Sequence, residues 1–376
     1  MANIVHFGKF YLPDSGGIES VTFSLATGAA AVGHSVSVVC FEKTSAKRQE
    51  FIDGVLVMRT PIMKLVASQP LGLKYFFQCL NSAKNADLVH LHVPNMLGAL
   101  CALIMNKKVQ LLVHWHSDVI NKGILGKILG PLESALLRRA DSIVATSKVY
   151  ADASATLAPF RNKINVMPIG VPDAKQQGQE LSLPHLIEEK VRGKKIVLAV
   201  GRLVPYKGFD VLIEAAKHLS PDLVTVIVGS GPLQEALQHA VDVAGVNDRV
   251  LLTGRLSDAV LHVLFARAAL YCLPSTYRAE AFGVVLLEAM TYGLPIVATD
   301  IPGSGVPWVN QHGKSGLNVP VRDPEALAQA CNQILWSEEL RSRLSQGARQ
   351  RFLTEFTEEL SIKRMIAIYD HHLAAI

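Results

Sequence analysis

Residues 194–208 read KKIVLAVGRLVPYKG: an apolar run from Ile196 to Val200, then a glycine and a loop that carries an arginine and a lysine. An apolar run this short, closed by glycine, marks a strand buried on both faces, as in a parallel sheet covered by helices. The rhythm continues in LVTVIVGSG (223–231), DRVLLTG (248–254), AALYCLPS (268–275), LPIVATD (294–300) and SGLNVP (315–320), with helical patterns between. Upstream the same alternation runs through NIVHFG (3–8), a helix over about 19–31, HSVSVVCF (34–41), ADLVHLHV (86–93), VQLLVHWH (109–116) and DSIVATS (141–147). The pattern predicts an α/β chain of two Rossmann-like, doubly wound domains, with functional loops at the carboxyl ends of the strands and two such edges facing across a cleft.

The rhythm breaks at NVMPIGVPD, where Pro168, Gly170 and Pro172 cluster before the polar stretch KQQGQE. This places the domains at 1–170 and 171–376, with a helical last segment from about 338 that is free to pack back on the first domain. A length of 376 residues suits two cores. Hydrophobic residues at 49% against 18% charged exclude a disordered chain. Residues 1–172 hold 17 Lys and Arg against 10 Asp and Glu, and the rest 20 against 22, a basic first half that suits an anionic membrane surface or a phosphorylated substrate. Nucleic acid fits less well, because aromatics do not interleave with the basic residues and no recognition motif occurs. Cys40, Cys79, Cys101, Cys272 and Cys331 are scattered and odd in number, so they read as core residues of a reducing compartment. With no leader pattern at MANIVHFGKF and no membrane-spanning run, a cytoplasmic chain with at most peripheral membrane contact is expected.

Three loops carry chemistry. In PDSGGIES, Gly16 and Gly17 let backbone approach a ligand at a helix start, whose unpaired N–H groups favour an anion. GRLVPYKG puts Arg202 and Lys207 in one strand-to-helix loop, where a guanidinium and an ammonium can neutralise a diphosphate. In EAFGVVLLEAMTYG, Glu280 precedes a helix that begins near Gly283, and Glu288 lies within it. Helical geometry over that spacing separates the carboxylates by roughly 12 Å, too far to act on one bond and suited to two hydroxyl-bearing parts of an extended ligand. The bland alternatives are a turn, surface cations and a capping glutamate. The pairs His90/His92 and His114/His116 alternate as strand residues do and could ligate a metal. No carboxylate partner is evident, so His116 is read as the site residue and the other three as packing groups, with His114 able to support it.

Taken together, GGIE, His116 after a strand, Arg202-x4-Lys207, Glu280-x7-Glu288 and the following GLPIVAT resemble the retaining glycosyltransferases of family 4, which have the two-domain GT-B fold. The resemblance implies an acceptor-binding first domain and a second domain that binds a nucleotide-sugar co-substrate. It implies that Arg202 and Lys207 hold the donor diphosphate, Glu280 the transferred sugar and Glu288 the ribose. The amides around Phe282 and Gly283 then meet phosphate or sugar, His116 lies beside the sugar, and Gly16 with Gly17 forms the loop over the phosphates. No cofactor and no metal is expected; the chain lacks an Asp-x-Asp. The stretch IPGSGVPWVNQHGKSGLNVPVRDPEAL, with Ser304, Gly305 and Trp308, is similar to bacterial mannosyl- and rhamnosyltransferases of surface polysaccharide, including lipopolysaccharide O-antigen. That similarity points to GDP-mannose as donor and an undecaprenyl-diphosphate-linked saccharide as acceptor, at the inner face of the cytoplasmic membrane. The basic segment 118–142, with Lys122, Lys127, Arg138 and Arg139 among Ile124, Leu125, Ile128, Leu129 and Leu132, has a pattern that suits either an anionic membrane surface or an ordinary core-facing helix. The competing readings are a UDP-sugar or GDP-rhamnose donor, a binding module without turnover, and a nucleotide-sugar epimerase, whose acid and base have no evident residues here.

Overall fold

Valine, isoleucine and leucine runs with no polar face can be satisfied only by burial on both sides, and parallel sheets provide it. The structure, a computed structural model, describes residues 1–14, 16–42, 48–66, 69–119, 126–174 (backbone alone over 126–128) and 182–374. The chain forms two compact units, one of Met1–Gly170 with Glu358–Ile376, the other of Val171–Thr357. The change of unit therefore falls inside NVMPIGVPD, and the last helix, Glu358–Leu373, belongs with the first unit.

The first unit contains β1 (Asn3–Phe7), β2 (Ser35–Glu42), β3 (Gln49–Ile52), β4 (Val55–Pro61), the short hairpin β5 (Lys64–Val66) and β6 (Gln69–Leu71), β7 (Leu88–Val93), β8 (Gln110–Trp115), β9 (Ser142–Ala145) and β10 (Ile164–Val166). Its main sheet runs β10-β9-β8-β7-β1-β2-β4-β3, parallel except for β3 against β4. β1 lies between β2 and β7, so the chain reverses its direction of winding there and the loops after β1 and β7 diverge. The second unit contains β11 (Lys195–Val200), β12 (Leu223–Val228), β13 (Val250–Gly254), β14 (Ala268–Leu273), β15 (Ile296–Thr299) and β16 (Gly316–Val319) in the all-parallel order β13-β12-β11-β14-β15-β16. Its core joins Val197, Leu270 and Val297 of the sheet to Leu212, Leu237 and Ile334 of three helices. Both sheets have the doubly wound order, which opens a ligand crevice where neighbouring strands send their loops apart. The predicted strands are all present. Strands β3–β6 and β10, which the alternation did not single out, extend the first unit; β3, β5 and β6 sit in or beside hairpins with polar or exposed patterns rather than buried runs.

The basic segment forms a helix, Gly126–Arg139, that turns Leu129, Leu136 and Leu137 into the core. Arg139 is held there by donating to the carbonyls of Val109 and Lys107 and pairing with Asp141, leaving Arg138 exposed. Lys122, Ile124 and Leu125, and the side chains of Lys127 and Ile128, lie outside the described residues, as does the polar stretch 175–180. Among the described residues no helix is long and apolar enough to cross a membrane.

Helix Glu358–Leu373 packs on helix Gly17–Ala31, where a Cβ on Gly28 would lie 2.5 Å from Ile362 Cγ2. Close approach at a glycine makes that position intolerant of volume, so Gly28→Val should cost about 1–3 kcal/mol by overpacking. A thermal melt reads this as a lowered transition; an unchanged melt would mean that the contact is not retained.

Candidate active site

β11 and β14 are adjacent in the sheet, yet about 70 residues separate their loops. The β11 loop ends in the turn Pro205–Lys207 and Gly208, before helix Phe209–Ala215. Gly208 has φ +66°, and a Cβ there would meet the Pro274 carbonyl oxygen at 2.1 Å, so the backbones of the two loops are in contact. Thr276 N donates to Tyr206 O across the same junction at 2.8 Å. The Lys207 stem in turn lies against Gly201, where a Cβ would be 3.1 Å from its Cε.

This packing buries an ion pair. Lys207 Nζ donates to Glu280 Oε2 at 2.5 Å, and Ser275 Oγ donates to the same oxygen at 3.0 Å. Only 7% of Lys207 and 8% of Glu280 is exposed. Burial pushes the lysine pKa down, but the Glu280 charge, with Tyr206 and Glu288, outweighs it and holds the ammonium above its ordinary value. Glu280 Oε1 takes no partner among the described residues. The turn that carries Glu280 is supported from the loop after β15: Ser304 Oγ donates to Glu280 O, and Gly305 N donates to Ala281 O at 2.8 Å. Arg202, five residues before Lys207, is exposed, and its guanidinium makes no hydrogen bond or ion pair among the described residues. The two cations of the loop thus differ, since the lysine is already paired with a carboxylate and the guanidinium has no partner among the described residues.

Helix Val284–Thr291 starts at Gly283, whose φ of +79° suits glycine. Glu280 lies three residues outside that helix, so the helical spacing expected between Glu280 and Glu288 does not apply. The Phe282 side chain is buried, packing near Trp308 and Phe356, which leaves its backbone as the part available to a ligand. Glu288 is partly exposed; its carbonyl accepts from Thr291 Oγ1, and its carboxyl group makes no hydrogen bond or ion pair among the described residues. Desolvation first, and Asp258 second, push its pKa up to about 7, against the pull of Lys207.

In the first unit, His116 directly follows β8 and is buried, its ring 4.1 Å from that of His114. Its Nε2 lies 3.0 Å from His92 Nδ1, so His92 is a hydrogen-bond partner rather than a packing group. Gly16 and Gly17 stand at the start of helix Gly17–Ala31, at the carboxyl end of β1. The structure brings Lys207 and Glu280 together in the second unit and places His116, Gly16 and Gly17 in the first. Sequence reasoning missed Ser275 and the role of Ser304; the only signal for Ser275 was its place directly after a buried strand, in CLPS.

A doubly wound pair of units, one with a buried Lys–Glu pair and an exposed arginine at its switch point, has the arrangement in which open α/β sheets hold their ligands. The model of the glycosyl transferases group 1 family matches residues 186–351, and that of the glycosyl transferase 4-like domain matches residues 16–170. The chain is 30% identical over 367 residues to the O-antigen chain mannosyltransferase C of Escherichia coli, covering 97% of each. It is 32% identical to the D-rhamnosyltransferase WbpZ of Pseudomonas aeruginosa, covering 94% of this chain and 92% of that one. Among solved structures it is similar to the sucrose-phosphate synthase of Thermosynechococcus elongatus, with TM-score 0.80 and 22% identity over 100% of both chains. The chain belongs to the family 4 glycosyltransferases, with the GT-B fold.

Removing one partner of a buried pair strands the other charge, at a cost of about 3–5 kcal/mol. Lys207→Ala should therefore destabilise the second unit by about that much, while Lys207→Met with Glu280→Gln recovers most of it. Denaturant melts of both variants check this, and equal losses in the two would show that the charge balance is not what matters.

Proposed function

We propose that this glycosyltransferase moves a hexose with retention of configuration and without a metal, most simply mannose from GDP-mannose to an undecaprenyl-diphosphate-linked saccharide in O-antigen assembly at the inner face of the cytoplasmic membrane. The observation that carries the reading is the Lys207–Glu280 pair with Arg202 free beside it. Arg202 grips the diphosphate; Lys207, still holding N–H groups beyond the one given to Glu280, adds a second contact. Glu280 uses its unpartnered oxygen for a sugar hydroxyl, and the amides near Phe282 and Gly283 meet phosphate or sugar. Glu288 accepts from the ribose hydroxyls, His116 lies beside the sugar, and Gly16 with Gly17 closes over the phosphates.

The bond from the anomeric carbon to the phosphate oxygen breaks, the acceptor oxygen forms its bond on the same face, and its proton passes to the departing phosphate. Catalysis then rests on stabilising the leaving group and on positioning. A lipid-linked acceptor is supported by the exposed apolar side chains Met63, Leu65, Leu73 and Phe77, set among Lys64 and Lys74 around the β5–β6 hairpin. The similarity to a D-rhamnosyltransferase favours GDP-rhamnose as the second donor to try.

The test is release of nucleoside diphosphate in EDTA from GDP-mannose, GDP-rhamnose and UDP-sugars, with and without a lipid-linked saccharide. One donor should turn over with acceptor present, and Glu280→Gln should lower kcat by about a hundredfold or more. Turnover that requires an added divalent cation defeats the metal-free reading, and tight binding with no turnover on any acceptor favours a binding module.

Glu288 supplies a pH test. Its raised pKa means that the folded chain binds more protons than the unfolded one between the ordinary carboxylate value and about 7, so this group lowers stability as pH rises through that window. Ribose hydroxyls need the ionised form as acceptor, and the diphosphate diester of a nucleotide sugar does not titrate there. Donor affinity should strengthen as pH rises through about 7 and be flat in Glu288→Gln. Calorimetric titration at a series of pH values checks it; a flat wild-type profile would remove the ribose role.

A further inference from the structure

Five histidines tile one face of the first unit's sheet. His6 of β1 is in register with His90 of β7; His92, two residues on, is in register with His114 of β8, and His116 follows. Neighbours in register, and residues two apart in a strand, share a face. All five are buried, and Tyr369 of helix Glu358–Leu373, also fully buried, reaches them.

The ring nitrogens connect in one line. His116 Nε2 lies 3.0 Å from His92 Nδ1, His92 Nε2 lies 3.0 Å from His6 Nδ1, His6 Nε2 lies 3.3 Å from the Tyr369 hydroxyl, and that hydroxyl lies 2.6 Å from His90 Nδ1. Burial holds the imidazoles below their ordinary pKa, His6 and His116 down to about 3, and His90 and His92 also well below the ordinary value. Each ring is therefore neutral, with one N–H and one lone pair. A neutral line of this kind, with the hydroxyl hydrogen also bonded within it, has only two arrangements, because each ring that accepts on one nitrogen must donate from the other.

The hydroxyl chooses between them, since it carries a single hydrogen. O–H donors make shorter bonds than N–H donors. The 2.6 Å contact is thus the hydroxyl donating to His90 Nδ1, and the 3.3 Å contact is His6 Nε2–H donating to the hydroxyl. His6 Nδ1 then accepts from His92 Nε2–H, and His92 Nδ1 accepts from His116 Nε2–H. His116 is left with a bare Nδ1, which has no partner among the described residues.

We propose that Tyr369 is a positioning residue that fixes, through His6 and His92, the tautomer of His116, so that His116 presents Nδ1 as a hydrogen-bond acceptor to a hydroxyl of the transferred sugar. This rests on the reading that places His116 beside that sugar. To present an N–H instead, every bond in the line must reverse together. The last helix thus sets the chemical character of a site residue at the far end of the hydrogen-bonded line. The triads His6/His90/His92 and His92/His114/His116 also bring ring nitrogens within 4.8 Å of one another. A divalent ion would occupy the same lone pairs, so the two arrangements exclude each other where they share a nitrogen.

The test is 15N NMR of full-length protein labelled at histidine, with the His116 signals assigned by their loss in His116→Gln. Wild type should show a bare Nδ1 and a protonated Nε2. Tyr369→Phe should give mixed tautomers at His116 and lower kcat by about tenfold, with donor KM little changed. His90→Phe removes the acceptor of the hydroxyl, frees it to donate to His6 Nε2 and should reverse the line, protonating His116 Nδ1. A protonated Nδ1 in wild type, His116 signals untouched by both variants, or stoichiometric metal on elemental analysis would each overturn the proposal. Unchanged turnover in His116→Gln would overturn the placement at the sugar, whereas tautomer shifts in the two variants would still support the line as drawn.

Discussion

The ion pair between Lys207 and Glu280 joins the loops of the two central strands of the second unit, and its burial constrains everything around it. Taking both charges out of water costs several kcal/mol per ion, which attraction offsets only with close geometry and further hydrogen bonds. The surroundings meet those terms. Ser275 donates to the paired oxygen, Gly201 admits the lysine stem, and Gly208 lets the two backbones touch. Ser304, one strand further along the sheet, fixes the carbonyl of Glu280. Three loops are thus held in one arrangement before any ligand arrives, which is what a site acting by electrostatic preorganisation needs.

The first unit solves a different problem with related means. Strands β1, β7 and β8 bring polar rings into a largely apolar sheet, and buried polar atoms without partners are costly. His6, His92, His116 and Tyr369 pair with one another along a line, while among the described residues His114 finds no partner for either nitrogen and His90 none for Nε2. The last helix closes this face although it follows the second unit in the chain.

Much of the site was legible in sequence because it lies in loops directly after strands whose apolar runs are unambiguous. Arg202, Lys207 and Glu280 could be placed on the carboxyl edge of one sheet by counting from those runs. What could not be read is that Lys207 is spent on Glu280 while Arg202 remains open, since burial depends on neighbours 70 or more residues away. The helical spacing from Glu280 to Glu288 failed for a local reason: Gly283 in the left-handed region starts the helix after Glu280. The basic segment 118–142 was open to two readings because a core-facing and a membrane-facing helix share one pattern until the partner surface is known; Leu129, Leu136 and Leu137 face the core.

By itself the sequence determined the class of fold, two doubly wound α/β units, and the family, because alternating buried strands and strand-end loops are local patterns. Only the tertiary structure decided which charges are neutralised, which carboxyl is pushed toward neutrality and how five separate histidines and a tyrosine share their protons. Those properties are set by desolvation and hydrogen-bond geometry among residues up to 363 positions apart, and no local pattern encodes them.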